Sequence, residues 1–286
     1  MSVSGSDIFI TTTWLNSHLN DPDITLLDAR MLPPGDTTRD IQAEYEAEHL
    51  PGAAFFDIEA LSDASSPLPH MMPDSASFAQ AMGMLGVSES QHCVIYDEGN
   101  LFSAPRAWWM LRTFGVTKVS ILVGGLTGWK LEQRPLEQGN NGHSPRTFMA
   151  QLDAGVICQA EVVLAITRDS SAQIVDARPA QRFTGEVDEP RLGLRRGHIP
   201  GSFNVPWNEL VANGALKDPK ELAAVFKQKG IDIQRPIVAS CGSGVTAAVI
   251  VLALHVLNAP QVKLYDGSWG EWGGREDLPV EATVKR

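Results

Sequence analysis

Cys241 stands in the stretch "IVASCGSGVTAAVIVLALHVL", residues 237–257, between a strand-like apolar run and a helix-like one. Only three cysteines occur in the chain, and this one has Gly242 and Gly244 beside it. The glycines keep side chains out of a tight loop and allow positive φ, so successive N–H groups can converge on one point. The N-terminus of the following helix adds about half a positive charge. Together these favour thiolate over thiol at Cys241. Cys93 in "HCVIY" and Cys158 lack such surroundings and read as buried structural residues. A cysteine phosphatase needs an arginine six residues past the nucleophile to clamp phosphate oxygens. That position is Ala247. A Cys–His protease needs a base close to the sulfur, and the loop offers none. What remains is a thiolate whose product carries negative charge on a second sulfur, a persulfide.

The elements that hold this loop are written twice. "ITLLDAR" (24–30) returns as "AQIVDAR" (172–178), and "EHLPGAAFFD" (48–57) as "GHIPGSFNVP" (197–206). "HCVIYDEGN" (92–100) aligns with "PIVASCGSG" (236–244), and "GGLTGW" (124–129) with "GSWGEW" (267–272). Four matches in one order, at a nearly constant spacing of about 145 residues, make a tandem duplication. The seam falls in "LEQRPLEQGNNGHSPRTF", residues 131–148, which has no apolar period. The expected division is a first domain over 1–135, a linker over 136–150 and a second domain over 151–286. In the second copy, "AQIVDAR", "PIVAS" and "QVKLYDG" read as strands, and "DPKELAAVFKQKG" and "VTAAVIVLALHVL" as helices. Short apolar strands interleaved with helices predict an α/β fold with mainly parallel sheets covered on both faces. Ligands of such folds sit beyond the carboxyl ends of the strands, where Cys241 falls.

The duplicated frame, "HIPG", the loop "CGSGVTA" and "YDGSWGEW" resemble the two-domain rhodanese-type sulfurtransferases over nearly the whole chain, from about Trp14 to Pro279. The loop is similar to that of the branch that takes 3-mercaptopyruvate. Relatives that use thiosulfate carry a basic pair where this chain has Gly242 and Ser243. The resemblance implies two rhodanese-like domains, the first non-catalytic because Asp97 stands where the second has Cys241. It further implies that Gly242, Ser243, Gly244, Val245 and Thr246 form the substrate loop. It carries the substrate arginines of an "RF…EPR" context onto Arg182 and Arg191, and it suggests a Ser243–His70–Glu59 relay. That relay requires the first copy's histidine to approach the second copy's loop. Read without the resemblance, Arg182, Arg191, Arg195 and Arg196 fit equally a surface set paired with Glu186, Asp188 or Glu189. Asp28, Asp176, His49 and His198 recur in both copies, one of them inactive, and read as anchors of the fold. Trp129, Trp269 and Trp272 read as packing residues.

The expected reaction is double displacement. The sulfur of a small 2-oxo thiol acid passes to Cys241 and then to an acceptor thiol, such as one on a thioredoxin-like protein, or to cyanide. No metal or organic cofactor is expected. The alternatives left open are thiosulfate as donor and a non-enzymatic persulfide carrier. With 286 residues, 43% hydrophobic and a formal net charge of −11, the chain gives no support to nucleic-acid or anionic-membrane binding. Its N-terminal stretch lacks the basic and apolar regions of a signal peptide, so the expected location is the cytoplasm.

Overall fold

The computed structural model describes residues 8–140 and 142–283. The chain forms two compact units, dividing at Asp153 and Ala154, three residues beyond the expected start of the second domain at 151. Two short segments change sides: Ser65–Met71 groups with the second unit and Ala212–Ala215 with the first. Within the seam, Arg146 N–H donates to the Gly83 carbonyl at 2.9 Å, and Phe148 packs edge-on against Phe78. That stretch is therefore held to the first unit by its own bonds.

The first unit contains β1 (Phe9–Ile10), α1 (Thr12–His18), β2 (Ile24–Asp28), α2 (Ile41–Ala47) and β3 (Ala53–Phe55). These are followed by α3 (Ser75–Met84), β4 (His92–Tyr96), α4 (Ala104–Thr113), β5 (Val119–Leu122) and α5 (Gly125–Leu131). Its sheet runs β1-β5-β4-β2-β3, every pairing parallel. Asp28, the last residue of β2, sits in register with Tyr96, the last of β4.

The second unit repeats the plan with β6 (Ile157–Cys158), α6 (Ala160–Asp169), β7 (Gln173–Asp176), α7 (Ala180–Thr184) and β8 (Phe203–Asn204). A small hairpin, β9 (Val211–Ala212) and β10 (Ala215–Leu216), precedes α8 (Pro219–Gln228). Then come β11 (Ile237–Ser240), α9 (Ala247–Val256), β12 (Val262–Tyr265) and α10 (Ser268–Trp272). The sheet order is β6-β12-β11-β7-β8, again parallel throughout. The two copies thus share one topology, as the internal repeat predicts.

Local sequence explains the elements around the site. Asp218 caps α8 through a reciprocal box with Glu221, and Gly230 ends it at φ +78°. α9 is apolar all round, buried from Ala247 to Leu254 and packed on β11 and β12. A helix with no polar face is stable only when it is covered on all sides. Its first turn is therefore fixed relative to the ends of the strands beside it.

Candidate active site

Cys241 follows the last residue of β11, at the carboxyl edge of the sheet, and is 1% exposed. Three bonds brace its backbone against the segment that begins α10. Cys241 N–H donates to Ser268 Oγ at 3.0 Å. Trp269 N–H donates to the Cys241 carbonyl at 2.9 Å, and Gly270 N–H to the Gly242 carbonyl at 2.8 Å. The loop then runs to Thr246, the N-cap of α9, whose side chain makes no capping bond.

The two loop glycines have different roles. Gly244 adopts φ +79°, the left-handed region that favours glycine. Gly242 does not adopt a positive φ, contrary to the expectation from sequence. It is required for space instead: a Cβ there would lie 3.0 Å from Arg182 Nη2 and 4.0 Å from Arg191 Nη1. Arg182 and Arg191 therefore both reach the residue beside Cys241.

Arg182 is held on its far side by Glu189. Its Nε lies 3.2 Å and 3.1 Å from the two carboxylate oxygens, and its Nη2 also donates to Oε2. Glu189 accepts as well from Arg178 Nη1 at 2.8 Å, and Arg178 in turn grips Asp176 through Nε and Nη2. The pairing with Glu189 that sequence offered as an alternative to substrate binding is real. It is partly buried, however, and the guanidinium it holds reaches Gly242. Sequence reading missed Glu189 as the support; the acid two residues before Arg191 was the available signal. The other two arginines lie elsewhere. Arg195 binds the carbonyls of Trp272, Gly273 and Leu278, and Arg196 pairs with exposed Asp188.

Ser243 is buried beside Cys241 and shares a 2.8 Å hydrogen bond between its Oγ and His70 Nδ1. His70 is itself buried, at φ +59°, in the segment that groups with the second unit. A histidine that belongs to the first copy in sequence thus groups with the second unit in space. Val245 is buried and Thr246 half-buried. Glu59 lies exposed in the first unit, its N–H donating to Asp57 Oδ1 at 3.0 Å.

The first unit shows what such a loop binds. There the residue after β4 is Asp97, and its carboxylate accepts from the N–H groups of Gly99 at 2.8 Å, Ser103 at 3.2 Å and Ala104 at 3.1 Å. Burial pushes this carboxyl up, against the opposing pull of those amides. An anion fixed to the side chain thus engages three amides of the loop that follows β4. The neighbouring cleft of about 560 Å³ is crossed by Arg39, which binds Glu44 and, at 2.7 Å, Glu98. Tyr45 stacks on His49 as Phe183 stacks on His198, which aligns Glu44 with Arg182. An acid stands where the second unit has Arg182.

The remaining anchors behave as expected. Asp28 and Asp176 each receive the N–H and guanidinium of the arginine two residues on. His49 and His198 bond to the carbonyls of Tyr45 and Phe183. Trp129, Trp269 and Trp272 are fully buried.

The pattern of the rhodanese-like domain matches residues 11–132 and again 159–275. The chain is 57% identical over 273 residues to the 3-mercaptopyruvate sulfurtransferase of Escherichia coli K12, covering 96% of this chain and 97% of the relative. It is 42% identical to the human 3-mercaptopyruvate sulfurtransferase over 96% of each chain. It is also 42% identical to a thiosulfate sulfurtransferase of Cricetulus griseus, over 97% of this chain and 95% of the relative. The crystal structure of SseA, an Escherichia coli 3-mercaptopyruvate sulfotransferase, superposes with a TM-score of 0.86 at 55% identity, covering 91% of this chain and 98% of that one. With two matched domains, one sheet order repeated, and relatives of this identity along nearly its full length, the chain belongs to the rhodanese family.

Proposed function

We propose that this protein is a 3-mercaptopyruvate sulfurtransferase acting by double displacement through Cys241. The Cys241 thiolate attacks the sulfur of 3-mercaptopyruvate and the C–S bond breaks. The electron pair goes to C3 of the departing pyruvate enolate, and the proton of the substrate thiol ends on that carbon. A Cys241 persulfide anion remains. An acceptor thiol or cyanide then takes the outer sulfur and restores the thiolate. The observation that carries this reading is the placement of the Arg182 and Arg191 guanidinium groups beside Gly242. Arginine's planar fork suits a carboxylate, and a small 2-oxo acid held there would present its sulfur to the adjacent residue.

The bond between Ser243 and His70 supports a proton path from the substrate thiol to C3, since an imidazole can accept and return a proton near neutral pH. Glu59 enters this relay on the resemblance alone. The loop and the overall likeness favour the same donor, since the chain is 57% identical to a 3-mercaptopyruvate sulfurtransferase and 42% to a thiosulfate sulfurtransferase. Gly242 and Ser243 are neutral, so a thiosulfate dianion finds no cation in the loop itself. Among the described residues no helix is long and apolar enough to cross a membrane, and we place the enzyme in the cytoplasm with a thiol, on a small molecule or a thioredoxin-like protein, as acceptor.

Intact mass after incubation with each donor tests the reading. A gain of one sulfur, about 32 Da, removable by cyanide and located at Cys241, is expected with 3-mercaptopyruvate. Turnover that is faster with thiosulfate would change the donor assignment. No mass gain with either donor would overturn the enzyme.

A further inference from the structure

We infer that Ser268 positions Cys241, and that its hydroxyl is the part of the α10 brace specific to the catalytic copy. This rests on Cys241 being the nucleophile, as proposed above. The two units supply an internal comparison. In the first, Leu126 N–H donates to the Asp97 carbonyl at 2.9 Å and Thr127 N–H to the Glu98 carbonyl at 3.2 Å. These are the counterparts of the bonds from Trp269 to Cys241 and from Gly270 to Gly242. The backbone brace is therefore common to both copies and does not depend on a nucleophile. The bond from Cys241 N–H to Ser268 Oγ is the addition.

The residue that supplies it sits where a side chain is costly. Ser268 has φ +49°, and its counterpart Gly125 has φ +50°. The first unit uses glycine there because a Cβ would lie 2.3 Å from the Asp97 carbonyl oxygen and 2.6 Å from Gly99 N. The second unit keeps the same left-handed backbone but carries a serine, fully buried. Strained residues of this kind persist where surrounding structure holds them and are concentrated at functional sites. The hydroxyl is fully engaged: it accepts from Cys241 N–H and donates to the Tyr265 carbonyl at 2.8 Å. It is thus fixed in direction and serves as an acceptor only toward Cys241. By holding that peptide plane, Ser268 holds the direction of the Cα–Cβ bond of Cys241 and so the place of its Sγ. Without it, a buried N–H lacks an acceptor, and the peptide turns to find one.

The test compares Ser268→Gly with Ser268→Ala in the full chain. Glycine removes the hydroxyl and relieves the backbone, and the first unit shows that glycine is accepted at this place. Alanine removes the hydroxyl and keeps the strain. Two readouts are taken: the rate of iodoacetamide alkylation at Cys241, located by peptide mass, and the single-turnover rate and half-saturation for 3-mercaptopyruvate. Both variants should lose on the order of tenfold in both rates, the scale of one lost hydrogen bond to a buried donor, while half-saturation stays at the wild-type value. Wild-type rates in either variant would overturn the inference, since the hydroxyl would then be dispensable. A rise in half-saturation matching the loss in rate would overturn it too, because the substrate arginines rather than the nucleophile would have moved. If wild type takes no sulfur from the donor, the proposed function falls, while the alkylation comparison still decides the role of Ser268.

Discussion

Cys241, Cys93 and Cys158 share one side chain and differ only in surroundings, so they separate chemistry from burial. Burial alone pushes the Cys93 thiol up to about 12, and burial also raises Cys158, which leaves both protonated and inert at neutral pH. Cys241 is equally buried but lies in the loop that leads into α9, next to Gly242 and the two guanidinium groups that approach it. Cys241→Ser should therefore abolish sulfur transfer, and Cys93→Ser and Cys158→Ser should retain it, as measured by thiocyanate formation from 3-mercaptopyruvate and cyanide. Near-wild-type turnover in Cys241→Ser would end the mechanism. On the proposed mechanism Arg182 acts in the first half-reaction only, because cyanide discharge involves no substrate carboxylate. Arg182→Ala should weaken use of 3-mercaptopyruvate by roughly 1.5–3 kcal/mol, about 10- to 150-fold in kcat/KM. Arg182→Lys should recover part of this, since an ammonium keeps the charge without the fork. Discharge of a preformed persulfide should be unchanged. Equal damage to both half-reactions would make Arg182 a support of the loop, acting through Glu189.

At the scale of the element, the loop between β11 and α9 uses two glycines for separate physical reasons, and substitution distinguishes them. Gly244→Ala forces a Cβ into a left-handed φ, which costs about 1–2 kcal/mol, so the urea midpoint should fall. Gly242→Ala meets no such backbone penalty. Its Cβ presses on Arg182 Nη2, which cannot yield freely because Glu189 holds it on the other side. The expected result is a higher KM for 3-mercaptopyruvate with little change in the urea midpoint. The reverse pattern, with Gly242→Ala the unstable variant, would contradict this division. The same geometry bears on donor choice, since a basic residue at 242 would face two guanidinium groups. The core shows a related exchange between copies. Tyr96 and Leu126 pack together in the first unit, while the second has Ser240 and Trp269 at the corresponding places, with Trp269 in its core cluster.

At the scale of the whole molecule, duplication produced two loops of one design, and the proposed reaction uses one of them. In the first, the Asp97 carboxylate accepts from the loop amides, and the adjacent cleft is lined by Glu44, Glu48 and Glu98 together with Arg30, Arg39 and Lys130. Restoring a thiol there should not restore activity. Asp97→Cys in a Cys241→Ser background is expected to fold and to take no sulfur from 3-mercaptopyruvate, because Glu44 stands where the second copy has Arg182, and the nearby Arg39 and Lys130 are already paired with Glu44, Glu98 and Glu48. The check is intact mass after incubation with the donor. A persulfide at position 97 would show that a cradled cysteine alone suffices and that the arginines are dispensable.

The sequence by itself determined the features that are local or repeated. Period and capping placed β11, α8 and α9 to within a residue or two, since these depend on neighbours along the chain. Self-similarity gave two copies with one strand order, and the residue types around Cys241 named a thiolate loop. Only the tertiary structure decided which arginines reach that loop. Arg182, Arg191, Arg195 and Arg196 crowd one short segment, and it is folding that sends Arg195 to the carbonyls near α10 and Arg182 to Gly242. It also decided that Gly242 is a matter of space and Gly244 one of backbone angle, a distinction invisible in the letters. His70 and Ser243 are 173 residues apart, and Cys241 and Ser268 are 27 apart. Hydrogen bonds across such distances depend on how packed elements bring their ends together, which no local propensity encodes. The serine at 268 was nonetheless visible in the alignment of "GSWGEW" with "GGLTGW" as a side chain standing against a glycine, and its meaning required the shared φ that the structure supplies.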